Sequence, residues 1–184
     1  MRAFSGASRR LPSVIGFRPI TAGDLPFLAR LYASTRAEDV AQVPGWSERQ
    51  KREFLQMQFD AQHRFYQEQF PDADYQVIER GGESIGRVYA HRRDHEIRLI
   101  DIALVPAHRG KGLGRSLIED LQDEAVERGL PLRIHVEKNN PAYRLYLRLG
   151  FRMITDKGVY DLLEWQPGAD STSQSANRND PRTI

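Results

Sequence analysis

Seven residues, Arg109-Gly110-Lys111-Gly112-Leu113-Gly114-Arg115, carry the plainest chemistry in this chain. They follow a run of branched apolar residues that breaks at Pro106, and they open an amphipathic segment. A strand, a glycine turn and a helix N-terminus together make an anion cradle. The glycines remove side chains that would block close approach, successive N–H groups point into the turn, and the helix dipole adds partial positive charge. The spacing decides which phosphate. Lys111 is followed by Gly112 where a nucleoside-triphosphate loop needs Ser or Thr, and Gly110-x-Gly112 lacks the third glycine of a dinucleotide fingerprint because Arg115 stands there.

The elements that must hold this turn follow from periodicity. A short strand is expected around Ile15 to Pro19, then a helix through Leu25, Leu28, Leu31 and Tyr32 that weakens near Ser34. Residues 34–47 read as a break containing Pro44 and Gly45, and a second helix runs from Glu48 to about Gln69. Tyr75 to Arg80 and Ser84 to Arg92 flank Gly81-Gly82 as a hairpin. After the glycine turn, Leu113, Leu117, Ile118, Leu121, Ala125 and Val126 form one helical face ending at Gly129. A strand over Leu130 to Glu137, a short helix over Pro141 to Leu149, and a hairpin of Phe151 to Thr155 with Val159 to Trp165 complete the order. The mixed order predicts an α/β layer with a largely antiparallel sheet and helices on both faces.

Composition bounds the rest. A chain of 184 residues with 40% hydrophobic content suits one domain, expected at 14–165, with a loose lead-in at 1–13 and a disordered tail, rich in Ser, Asn and Asp, at 166–184. No apolar run approaches membrane-spanning length, no signal-type segment stands at the start, and the expected location is cytoplasmic. Cysteine is absent, which removes disulfides, thiolate metal sites and an acyl-cysteine mechanism. The charge balance, 27 basic against 25 acidic residues, gives no argument for nucleic acid, and the histidines lack metal-ligand spacing.

Arg109-x-x-Gly112-x-Gly114 behind the Ile102-Ala103-Leu104 strand resembles the Arg/Gln-x-x-Gly-x-Gly/Ala signature of the GCN5-related N-acetyltransferases, the GNAT family. The segment Asn139-Asn140-Pro141-Ala142-Tyr143-Arg144-Leu145-Tyr146-Leu147-Arg148-Leu149-Gly150-Phe151 is similar to a second segment of that family, NxxAxxLYxxxGF, at the expected distance downstream. The order of elements matches over Ile15 to Trp165. The resemblance implies the acetyltransferase fold, a mixed and mostly antiparallel sheet of about seven strands. It also implies an enzyme that passes an acetyl group from acetyl-coenzyme A directly to a primary amine of a small molecule or polypeptide. The rival is a coenzyme A-binding module that performs no transfer. No metal, membrane or nucleic-acid partner is implied, and a homodimer is allowed.

By the same resemblance, the backbone of Ile102, Ala103 and Leu104 holds the pantetheine arm and acetyl oxygen, with Leu104 N–H as donor to the oxygen. Arg109, Gly110, Lys111, Gly112, Leu113, Gly114 and Arg115 hold the pyrophosphate. Asn139 fits the family asparagine counted back from Tyr146, whereas Asn140 fits the Asn-Pro pairing. Tyr146 stands near the departing sulfur, and a phenol with an ordinary pKa of about 10 keeps a proton to give to a thiolate. For the base, Glu96, Asp101, His135 and Glu137 stay open: Asp101 could satisfy backbone donors at a bulge and Glu137 could pair with Lys138. The acceptor pocket is expected between the first helical break and the last hairpin, drawing on Tyr32, Arg36, Glu38, Asp39, Trp46 and Tyr160.

Overall fold

The computed structural model describes residues 14–168; the expected lead-in at 1–13 and the tail beyond 168 lie outside the described residues. In chain order come β1 (Ile15–Pro19), α1 (Leu25–Ala41), α2 (Glu48–Gln69), β2 (Asp74–Arg80), β3 (Glu83–Arg92), β4 (Ile97–Leu104), α3 (Leu113–Arg128), β5 (Leu132–Glu137), α4 (Tyr143–Arg148), β6 (Arg152–Lys157) and β7 (Tyr160–Trp165). The seven strands form one sheet in the order β1-β2-β3-β4-β5-β7-β6. Every neighbouring pair is antiparallel except β4 and β5, which are parallel. That exception has a cause in the chain: α3 is the crossover between them, and parallel neighbours need one.

Strand alternation sorts the sheet into two faces. Ile78, Val88, Ala90, Leu99 and Leu104 share one face with Leu132, Ile134 and Leu163, and α3 packs there through Leu117, Ile118, Leu121 and Ala125. Tyr146 and Phe151 join the same cluster. On the opposite face Arg87, Tyr89 and Asp101 meet α2 through Gln62 and Tyr66. A smaller cluster of Leu28, Tyr32 and Phe59 binds α1 to α2.

The helix expected to weaken near Ser34 continues to Ala41. Ser34 and Thr35 turn their hydroxyls back onto the carbonyls of Leu31 and Tyr32, so neither competes for a break, and buried Leu28, Leu31, Tyr32 and Val40 hold the helix to its partner. Val126, placed on the buried stripe of α3, is 56% exposed. At about 100° per residue it lies one step past Ala125 and off the face. β5 begins at Leu132, two residues later than expected, α4 covers only Tyr143–Arg148, and the last hairpin turns at Gly158-Val159.

Gly86 is fixed by close approach. A Cβ there would stand 2.5 Å from the Ala103 carbonyl oxygen and 2.7 Å from Leu104 Cδ2. Gly86→Ala must push β4 away, and overpacking of this kind costs about 1–3 kcal/mol. Thermal unfolding should show a drop of several degrees; an unchanged midpoint would mean that β4 moves without cost.

Candidate active site

β4 and β5 run together for only three residue pairs, Ile97 with Leu132, Arg98 with Arg133 and Leu99 with Ile134. The register between β3 and β4 then steps from Ala90–Leu99 to Tyr89–Asp101, which leaves Ile100 as a bulge. A bulge bends its strand. Beyond it, Asp101–Leu104 stay paired with β3, and Val136 and Glu137 stay paired with β7. The sheet therefore opens into a wedge between β4 and β5. Val105 N–H donates to the Ile85 carbonyl on the β3 side, 2.9 Å away. By antiparallel alternation the N–H groups of Leu104 and Ile102 face the opposite way, into the wedge. The Leu104 carbonyl also faces away from β3 and accepts from Arg109 Nε at 2.7 Å.

The glycine turn stands at the end of β4. Gly112, at φ +84°, is the left-handed N-cap of α3, and no side chain caps the helix. The first intrahelical bond runs from Ser116 N–H to the Gly112 carbonyl, so the N–H groups of Leu113, Gly114 and Arg115 are not spent inside the helix. Gly114 is helical, and a Cβ on it would meet no heavy atom within 4 Å. What its missing side chain leaves open is the space over the helix start. Arg115 pairs with Glu119 at 2.9 Å on the exposed surface. The resemblance assigns Arg109 to the pyrophosphate together with Lys111 and Arg115. Its guanidinium instead bonds the Ser34 carbonyl at 3.2 Å and Ser34 Oγ at 2.7 Å, joining β4 to α1.

Tyr146, on α4, is 2% exposed and meets Phe151 edge to face at 5.5 Å. Burial, with the Asp101 charge behind it, holds its phenol pKa well above the ordinary value. Asp101 sits beside the bulge but bonds side chains rather than backbone. It accepts from Arg87 Nη2 at 2.7 Å and from Tyr66 Oη at 3.3 Å, and Arg87 is itself buried and donates to Gln62. Asn140 shapes the turn before α4, its Oδ1 accepting from Ala142 N–H at 2.8 Å, while Asn139 is exposed.

The other base candidates divide by their partners. Glu96 is 1% exposed and receives Arg93, Arg98 and Arg133. Burial would raise its pKa, but the hydrogen bonds and charges of the arginines lower it, and it lies at the closed end of the wedge. His135 accepts from Arg98 Nη1 at 2.9 Å, and desolvation followed by the Arg98 charge lowers its pKa. Glu137 is not paired with Lys138, whose ammonium reaches Asp156 at 2.7 Å. It takes a bidentate Arg36 from α1, with Nη1 to Oε2 at 2.8 Å and Nη2 to Oε1, and it accepts from Tyr160 Oη at 3.1 Å.

Three of the residues expected around an acceptor thus meet at one of the base candidates: Tyr32, Arg36 and Tyr160 gather at Glu137. Asp39 stands 3.8 Å from Arg36, Glu38 is exposed, and Trp46 packs against Phe54 at 5.1 Å, in a separate contact. Among the described residues no group of three or more His, Asp or Glu side chains could hold a metal, and no helix is long and apolar enough to cross a membrane.

Residues 40–151 match the profile of the acetyltransferase (GNAT) family. A Bacillus subtilis (strain 168) protein, provisionally named ribosomal protein bS18-alanine N-acetyltransferase, is 32% identical over 113 residues, 55% of this chain and 74% of that one. Streptothricin acetyltransferase of Streptomyces lavendulae is 42% identical over 60 residues, and that match spans only 32% of each chain. Among solved structures, PaiA N-acetyltransferase of Thermoplasma acidophilum in complex with coenzyme A superposes with a TM-score of 0.62 at 16% identity, covering 83% of this chain and 98% of that one. That likeness is one of fold.

Proposed function

The chain belongs to the acetyltransferase (GNAT) family, and from that premise we propose that it moves an acetyl group from acetyl-coenzyme A directly to a primary amine of a small molecule or polypeptide, in the cytoplasm. The observation that carries this reading is the wedge. It opens beside an uncapped helix start and a glycine turn, it receives the N–H of Leu104, and Glu137 stands on its β5 arm. The residues present fit the group: the N–H groups of Gly110 to Arg115, with Lys111 and Arg115 beside them, would hold the pyrophosphate, and the backbone of Ile102 to Leu104, with Asn139, would hold the pantetheine arm. Arg109 shapes this site from behind, through Leu104 and Ser34.

Bound there, acetyl-coenzyme A supplies a thioester carbonyl that an amine attacks, with a thiolate leaving. Leu104 N–H donates to the carbonyl oxygen as negative charge gathers on it. Tyr146 donates its proton to the thiolate. The acceptor must lose a proton before it attacks; Glu96 is held by three arginines at the closed end of the wedge, which leaves Asp101, His135 and Glu137 as the groups to take it.

The test is release of free thiol from acetyl-coenzyme A against a panel of primary amines. Thiol should appear only with an amine present and in step with its acetylation. Equal release without any amine would defeat the direct-transfer reading.

A further inference from the structure

One turn of α1 ties the two arms of the wedge together. Ser34 holds Arg109 and, through it, the Leu104 carbonyl on the β4 arm; two residues on, Arg36 holds Glu137 on the β5 arm. The first contact joins polar groups of the frame. The second is an ion pair between residues 101 apart in sequence, whose side chains are 32% and 16% exposed. Tyr160 adds a phenol donor to Glu137, and Tyr32 lies against Arg36.

Such a pair sets a condition on anything that enters. An isolated ammonium could take Glu137 only by leaving the half-buried Arg36 guanidinium without its carboxylate, and stranding one member of a buried pair is costly. Asp39 does not replace Glu137: it is 3.8 Å from Arg36, its side chain is 63% exposed, and an exposed pair is worth little. An acceptor with an ammonium and an oxygen on the adjacent carbon satisfies both residues. The nitrogen and oxygen of such a group stand about 3 Å apart, which suits adjoining carboxylate and guanidinium forks.

Resting on the acetyl-transfer reading above, we propose that Arg36 and Glu137 form the acceptor-recognition pair, and that they select an α-amine with a neighbouring carbonyl oxygen, as in an amino acid derivative or a peptide N-terminus. Glu137 takes the ammonium and Arg36 takes the oxygen. Amines with no adjacent oxygen are disfavoured because they satisfy only half of the pair.

The experiment measures kcat/KM with acetyl-coenzyme A for alanine amide, an alanine-led tripeptide amide and butylamine, in wild type, Arg36→Met, Glu137→Gln and the exchanged pair Arg36→Glu with Glu137→Arg. Comparing each probe across variants cancels the differing basicity of the amines. Arg36→Met should lower the alanine amide to butylamine ratio by about tenfold or more, mainly through KM. Glu137→Gln should weaken all three probes. The exchanged pair should restore the melting temperature but not turnover, because the charges then face the acceptor the wrong way round. An unchanged ratio in Arg36→Met, recovery of turnover in the exchanged pair, or transfer to none of the probes by a chain that binds acetyl-coenzyme A would each overturn the proposal while leaving the cofactor site standing. Failure of the intact chain to bind acetyl-coenzyme A removes both readings. A wild-type preference for the tripeptide over alanine amide identifies the source as a polypeptide N-terminus, and the reverse preference a free amino acid derivative.

Discussion

Replacing Tyr146 by Phe should lower turnover by about 10²–10⁴-fold, the usual worth of a positioned general acid, while acetyl-coenzyme A binds as before. The substitution removes one oxygen and keeps the ring against Phe151, so the buried cluster survives. Burial, with Asp101 behind it, raises the phenol pKa above its ordinary value of about 10. The raised value keeps the proton on the oxygen, so ionisation of Tyr146 cannot produce an alkaline fall in kcat below about pH 10. Steady-state kinetics and a pH profile of kcat check both parts. Unchanged turnover in Tyr146→Phe would remove the acid from the scheme.

The second large effect is expected at Gly114. Gly114→Val should abolish turnover and weaken acetyl-coenzyme A binding by about 100-fold or more, the cost of a few kcal/mol in a blocked subsite, yet melt at or slightly above the wild-type temperature. The physical reason is that this glycine is helical, so valine suffers no backbone strain, and its Cβ meets nothing within the protein. A glycine in a helix is also the poorer helix former. What the new methyls occupy is the space from which a pyrophosphate would reach the first-turn N–H groups. Gly112 is less informative, because its φ of +84° makes any side chain there strained whether or not a ligand binds. Retained binding in a folded Gly114→Val would move the phosphate site elsewhere.

The features that were legible in the sequence are local in origin. The period change at Tyr75, the glycines that end α3 and punctuate the hairpins, and the turn between β4 and α3 all depend on residues close together in the chain, and the order of elements followed from them. The wedge was not legible from the residues alone. Ile97 to Leu104 is nearly continuous in apolar residues, so nothing in its pattern says that Ile100 drops out of register or that β5 departs after Ile134.

Charged partners were read least well. Glu137 and Lys138 are neighbours in sequence, but successive strand residues face opposite ways, and each found a partner elsewhere. The true partner of Glu137 stands 101 positions away, a distance at which no local spacing carries information. Arg87, Tyr66 and Ser34 were overlooked for the same reason. Arg87 did leave one trace, a lone arginine inside the apolar run Ile85-Gly86-Arg87-Val88-Tyr89-Ala90, where a buried charge must have a partner. Arg109 lies in the glycine turn as its motif requires, yet its guanidinium braces β4 against α1.

Calorimetric titration of the full chain with acetyl-coenzyme A, in wild type and in Gly114→Val, tests the wedge and its glycine turn most directly. Saturable binding at one site per chain in the wild type, lost in a variant that melts normally, is the predicted result. No binding by the folded wild type, or equal binding by both, would contradict the account.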